Sequence, residues 1–270
     1  MSLILCRQER VEHPFPVEDL GIHIHSSQEL CYVIYHHPLM VMEKFVDDSL
    51  LEFLRSELRM PFLAERLEKW LESRGESDEL LFLILQDCGF YSPQEQSRYR
   101  QEVTALRKLS PLEYARARAD YFYRLGLYGK AVAMYEKVLE PGKDMVPNQD
   151  LKSRVWNNIA ACYTKLFCYQ KAMHAYDCAY NEKANPEYLK RMFFLTCLKP
   201  EIEMKDRYRE MITMENRSEW IKEVQKVLEE VELKEPVVDM HRMFSLDPEK
   251  RIDGAADVLN RWKVEYRRMI

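Results

Sequence analysis

Residues 156–179 decide how this chain is read: Trp156-Asn-Asn-Ile-Ala-Ala-Cys-Tyr163, eight intervening residues, then Ala172-Met-His-Ala-Tyr-Asp-Cys-Ala179. Trp156, Ile159, Ala160 and Tyr163 recur at helical spacing, and so do Ala172, Tyr176 and Ala179, which predicts two amphipathic helices joined by a short turn. Large residues on the first must meet small ones on the second where the backbones approach. Ala160 and Ala172 are expected at that contact, with Trp156, Tyr163 and Tyr176 filling the space around it. A weaker copy lies upstream, where Ala115, Ala119, Phe122, Ala131 and Tyr135 take equivalent places and Arg118 and Val138 depart from the pattern. Ala131 and Ala172 are 41 positions apart. The segment Glu140-Pro-Gly-Lys-Asp-Met-Val-Pro-Asn-Gln-Asp150 between the copies is expected to be a longer loop, or a loop with one extra turn, broken by Pro141, Gly142 and Pro147. A third opening helix is expected from Pro186 to Leu198, with Asn185 as N-cap and Pro186 at the first position.

This spacing resembles the tetratricopeptide repeat (TPR), a pair of antiparallel helices of about 34 residues. The likeness is densest over 153–184, holds over 111–139, and is degenerate outside them. It implies an all-α fold, a right-handed α-α superhelix in which each pair stacks on its neighbours. Around it we expect an N-terminal helical bundle with a short extended arm (1–110), the repeats (111–200) and C-terminal capping helices (201–270).

The flanking regions read as helices too. Ser26-Ser-Gln-Glu29 offers a capping box for a helix from Leu30 to His37, closed by Pro38. Asp48 or Ser49 is expected to cap Leu50–Leu58, and Pro61–Leu71 would bury Phe62, Leu63, Leu67, Trp70 and Leu71 on one face. Leu80–Leu85 is apolar all round, which suits the heart of the N-terminal bundle. Ser92-Pro-Gln-Glu95 and Ser110-Pro-Leu-Glu113 are two identical helix starts, the first opening a helix to Leu109. Downstream, Glu201–Thr213 and Arg217–Leu233 are expected to be helical, the latter with Trp220, Val224, Val227, Leu228 and Val231 on its apolar face. Glu235–Ser245 reads as a linker. A last helix starts at Asp247-Pro248 and carries Val258, Leu259, Trp262, Tyr266 and Met269.

Composition narrows the function classes. The net charge of −5 conceals an uneven distribution, since residues 111–200 hold 14 Lys/Arg against 9 Asp/Glu and the remainder 26 against 36. No basic stripe dominates, so nucleic acid is a poor partner. An acidic or mixed peptide suits the basic repeats better. The seven cysteines lack any C-x-x-C pair, which fits buried reduced thiols in a cytoplasmic protein. No run of 18 apolar residues is present to span a membrane. Catalytic signatures are missing: there is no G-x-S-x-G, H-E-x-x-H or phosphate-binding glycine loop, so neither catalysis nor a cofactor is expected. His23, His25, His36 and His37 lack partners at metal-ligand spacing, and Ile22 and Ile24 should face inward with His23 and His25 outward.

What the resemblance implies about a site is more specific. The first helix of each pair faces the ligand groove, which here presents Arg154, Asn157, Asn158, Thr164 and Lys165, Arg116, Asp120 and Arg124 from the upstream copy, and Arg191, with Tyr188, from the third helix. Asparagine suits main-chain recognition because its amide both donates and accepts. Asp120 stands where relatives that clamp a chaperone's C-terminal carboxylate carry an asparagine, and its negative charge argues against that ligand. The expected function is a non-catalytic adaptor or scaffold that holds a peptide or helix of a partner. The alternative is a peptide-sensing regulator with the N-terminal bundle as output. Self-occupancy is a related reading, in which the acidic stretch Val224–Glu235 lies against the basic groove. Met192, Phe193, Phe194 and Trp262 are candidates for a homo-oligomer seam, or for core.

Overall fold

The computed structural model describes residues 11–73, 77–140, 147–245 and 247–270. Among them the fold is α-helical, with one small hairpin: β1 (Phe15–Val17) pairs antiparallel with β2 (Ile22–Ile24). Gly21 closes the hairpin turn at φ 64°, in the left-handed region that glycine occupies without a Cβ penalty. Ile24 is fully buried and His23 and His25 are exposed, as the alternation requires. The chain divides into two compact units, one running to Tyr114 and the other from Ala115. Met1–Arg10 and the glycines at 75 and 142 lie outside the described residues.

The first unit assembles α1 (Ser27–His36), α2 (Pro38–Val41), α3 (Asp48–Glu52), α4 (Pro61–Glu72), α5 (Ser77–Cys88) and α6 (Pro93–Arg107). Ser26 caps α1 by accepting from the Glu29 amide at 3.1 Å, while the Glu29 carboxylate reaches past the cap to the His25 amide at 2.6 Å. At Ser92 the capping box is complete in both directions. The cap of α3 is Asp47, one residue before the expected pair, and α3 runs directly into a π-helical turn over Phe53–Glu57. On α4 the buried residues are Leu63, Ala64 and Leu67; Phe62 is 81% exposed and Leu71 is exposed as well, so the apolar face is narrower than its pattern. Leu80, Leu81, Ile84 and Leu85 of α5 are buried, and Phe82 and Leu83 are only half-buried.

In the second unit α7 (Pro111–Arg124, which begins just before the boundary), α8 (Tyr128–Leu139), α9 (Gln149–Lys165), α10 (Tyr169–Glu182) and α11 (Pro186–Leu198) follow in chain order. The Ser110 and Glu113 bonds start α7 reciprocally, at 3.0 and 3.3 Å. Asn148 caps α9 and Asn185 caps α11. Residues 141–146, where the long linking loop was expected, lie outside the described residues. α8 and α10 both pack on α9, and α10 on α11. Ala160, Ala172, Ala131 and Ala119 are fully buried, whereas Trp156 and Tyr163 remain half-covered.

The turns of the two pairs are the same structure. Gly126 has φ 76° and Phe167, 41 positions on, has φ 59°. The Leu127 amide bonds the Phe122 carbonyl at 2.9 Å, and the Cys168 amide bonds the Tyr163 carbonyl at 2.8 Å, a six-residue closure that terminates α7 and α9 alike.

Beyond them come α12 (Asp206–Met211), α13 (Met214–Glu232), α14 (Glu235–Phe244) and α15 (Pro248–Met269). The expected Glu201–Thr213 helix is thus shortened to six residues, and the expected linker is helical, begun by Pro236 in its first turn. Only the first half of α13 covers the preceding helices: Trp220 is buried against Phe193 at 5.6 Å, and Lys190 pairs with Glu223 at 2.7 Å. Val227, Leu228 and Val231 are 41–53% exposed, which corrects the expectation that the stretch from Val224 to Glu235 occupies the groove. Met192 is core and Trp262 is 51% exposed.

The end of α15 returns to the start of α8. Tyr266 donates to the Leu166 carbonyl at 3.4 Å, and a Cβ built on Gly129 would overlap the carbonyl of Ile270. Gly129→Ala should therefore leave α8 intact, alanine being the better helix former by about 1 kcal/mol, while displacing the end of α15. Amide exchange that quickens over 262–269 and not over 128–139 is the expected result; unchanged exchange in α15 would refute the contact.

Candidate functional site

Four of the residues expected to form a groove are joined in one hydrogen-bonded band that crosses α7, α9 and α11. It starts at Asp120, whose Oδ1 accepts from the hydroxyl of Tyr135 on α8 and from Asn158 Nδ2 at 3.4 Å. Asn158 Nδ2 also lies 3.2 Å from the Tyr135 hydroxyl, and its own oxygen accepts from Asn157 Nδ2 at 3.3 Å. Asn157 Oδ1 then accepts from Arg191 Nη1 at 2.7 Å, and Arg191 Nε donates to Glu187 at 3.3 Å. Arg116 approaches the other oxygen of Asp120 at 3.9 Å. The two asparagines carry the band because an amide passes a hydrogen bond on, accepting with one atom and donating with the other.

Local sequence explains the placement. Asp120, Asn157 and Asn158 stand within two residues of the buried Ala119, Val155 and Ile159, at the margin of the core rather than within it. Their side chains are half-buried. A half-buried site strengthens each bond relative to water and still leaves donors accessible. Arg191 uses two of its five N–H groups on Asn157 and Glu187, and its side chain is 38% exposed.

The remaining expected residues behave differently. Thr164 donates to the Ala160 carbonyl at 2.8 Å. Arg154 pairs with Asp150 at 2.5 Å, one turn earlier on its own helix, and Lys183 joins the same carboxylate at 2.6 Å. Arg124 lies over the Tyr121 ring at 5.2 Å and Lys165 is exposed. Tyr188 faces the core: it is 7% exposed, with its hydroxyl 3.1 Å from Ser153 Oγ.

No family model, curated protein or solved structure matches the chain. What the band can do is therefore read from its chemistry.

Tyr135 in the band and Tyr176 on α10 were expected only as packing. Burial pushes the Tyr135 hydroxyl well above its ordinary value, and the adjoining Asp120 carboxylate adds to the effect, so it stays a protonated donor. Burial raises Tyr176 likewise. The missed signal is that both tyrosines stand one helical turn or so from small residues, where a ring lies in the core and its hydroxyl emerges at the edge. Three of the thiols are held protonated: burial pushes Cys162 up to about 12 and raises Cys178 and Cys197. A thiol in that state is a poor nucleophile. Among the described residues no group of three or more His, Cys, Asp or Glu could hold a metal ion, and no helix is long and apolar enough to cross a membrane.

A second polar cluster, unforeseen in the sequence, lies where α10 meets α12. Asp177 accepts from Lys205 Nζ at 2.7 Å, Arg207 Nη2 at 2.7 Å and the Tyr208 hydroxyl at 2.6 Å. Tyr208 is 1% exposed, which makes this cluster a structural fastening rather than a surface for ligands.

Proposed function

We propose that the chain is a non-catalytic adaptor of tetratricopeptide type, which holds a peptide segment or helix of a partner protein against the faces of α7, α9 and α11. The observation that carries this reading is the Asp120–Asn158–Asn157–Arg191 band, which makes one continuous polar surface out of three separate helices. Its support is the repeated turn at Gly126 and Phe167, where a positive φ and the same closing bond recur 41 positions apart. A prearranged row of half-exposed amides and guanidinium groups suits recognition of a main chain or of acidic side chains, because the ordering cost is met before the ligand arrives. The net positive charge of 111–200 would speed the encounter with an acidic or mixed segment. Free thiols at Cys31, Cys88, Cys162, Cys168, Cys178 and Cys197 fit work in the cytoplasm.

The test is affinity capture from cell extract with the native chain, an Asn157→Ala/Arg191→Ala variant, and an exposed-surface control, Lys222→Ala on α13. Melting curves accompany all three to establish that each is folded. A partner retained by native chain and control, and bound about tenfold or more weakly by the band variant, is the expected outcome. Equal capture by a folded band variant would remove the groove from the reading.

A further inference from the structure

The first unit contains a cavity of about 730 Å³ between the hairpin, the loop that follows α2, and the α3/π-turn segment. Its floor is aromatic. Phe15 meets Phe45 edge-on at 6.1 Å and Phe53 at 5.5 Å; Phe53 is buried beneath, and Phe15 and Phe45 are half-buried. Its rim is acidic. Glu18, Asp19, Glu43, Asp47, Glu52 and Glu57 line it, against Lys44 as the one lysine and His13. Asp47 accepts from Ser49 Oγ at 2.6 Å and the Leu50 amide at 2.9 Å, neutral donors that fix its position and leave its charge. Glu57 accepts from the Glu12 amide at 2.8 Å and meets His13 Nδ1 at 2.9 Å, and Glu52 lies 3.7 Å from Arg55, so these two are the partly compensated members of the rim.

An apolar floor inside a ring of carboxylates is the complement of one kind of group, a cation carried on an alkyl stem. Lysine and arginine side chains lay their methylenes on aromatic rings and keep the charged head at the polar margin. The ring faces add their own attraction for the cation. Anionic and neutral polar ligands would meet either repulsion at the rim or unpaired burial on the floor. We infer that this trough docks a basic, partly apolar segment of a partner protein, with lysine or arginine stems on Phe15 and Phe45 and their charges against the acidic rim. The site is independent of the band on α7, α9 and α11, and its ligand has the opposite charge.

The probe is a fluorescein-labelled peptide of mixed arginine, lysine and leucine, titrated onto the full chain by anisotropy and, unlabelled, onto chain whose eleven phenylalanines are isotope-labelled for NMR. The expected result is saturable binding that shifts the signals of Phe15 and Phe45. Glu18→Lys/Asp19→Lys should weaken it about tenfold or more, while Glu229→Lys/Glu230→Lys on exposed α13, which changes net charge equally, should leave it unchanged. Absence of binding would overturn the inference. So would equal weakening by the two charge reversals, or saturation with the Phe15 and Phe45 signals unmoved, since either makes the attraction a property of overall charge. The NMR readout uses the unaltered chain, so misfolding of a variant cannot obscure the answer.

Discussion

Asp177→Ala is expected to lower the stability of the second unit by about 2–3 kcal/mol, because it removes the shared acceptor of Lys205, Arg207 and Tyr208. The cationic heads of Lys205 and Arg207 are half in water and recover hydration, so they contribute the smaller part. The larger part is the Tyr208 hydroxyl, held in a residue 1% exposed and deprived of its carboxylate. Asp177→Asn keeps an oxygen acceptor for Tyr208 and should cost about half as much. The two variants also separate by pH. Burial works to raise the Asp177 carboxyl, but hydrogen bonds from Lys205, Tyr208 and Arg207 outweigh it and hold the group below its ordinary value. A depressed folded value means the stabilisation is complete above the unfolded pKa, near 4, and is lost as pH falls through the folded one. The gap between native chain and Asp177→Asn should be constant above about pH 5 and close below about pH 4. Chemical denaturation at several pH values, followed by Trp220 fluorescence, measures it. A gap that persists unchanged in acid would show that the carboxylate's charge does not hold α12.

The comparable fastening of the first unit is Arg107, and Arg107→Ala should cost about 2–4 kcal/mol. Arg107 grips Asp78 with two parallel bonds, Nε to Oδ2 at 2.8 Å and Nη2 to Oδ1 at 2.6 Å, and Nη2 also reaches the Met42 carbonyl and Ser77 Oγ, both at 2.9 Å. One side chain thereby joins α6 to the start of α5 and to the end of the α2 segment. Asp78 is 8% exposed, so losing Arg107 strands a buried carboxylate; its place in the first turn of α5 offsets part of that through the helix dipole. Arg107→Lys should recover little, because an ammonium cannot reproduce the planar fork. Trp70 on α4 reports on this unit, whereas Trp156, Trp220 and Trp262 lie in the other, so single-tryptophan variants assign the loss. A melt of the Trp70 signal unaltered by Arg107→Ala would contradict the reading.

What the sequence disclosed, and what it withheld, divides by distance along the chain. Ser92, Ser110 and Asn185 announce helix starts because the groups they bond lie two or three residues away, within one readable window. Asp47 took the place expected of Asp48 or Ser49 because three adjacent residues can all cap, and only the backbone angle at position 47 selects one. Periodicity overstated burial at Phe62 and Leu71, since it reports which face is apolar and not whether anything covers that face. The residue types of the band were legible through the tetratricopeptide resemblance, yet the bonds joining Asn158 to Asp120 and Arg191 to Asn157 span 38 and 34 positions. Such pairs come into register only after the helices stack. The Asp177 cluster was illegible for the same reason, its donors lying 28 to 31 positions downstream.

The return of α15 to Leu166 bears on the order in which this unit forms. α9, α10 and α11 meet through short connections, and contacts of that kind form early. The Tyr266–Leu166 bond closes a span of 100 residues, so its loop entropy is met by few rewards until the other helices are in place. The stack must therefore acquire its shape without α15, and the last helix is fitted onto a surface that already exists. By the same reasoning opening of this unit is expected to begin at the seam beside Gly129, with amide exchange faster over 262–269 than over 150–165 as the measurement that checks it.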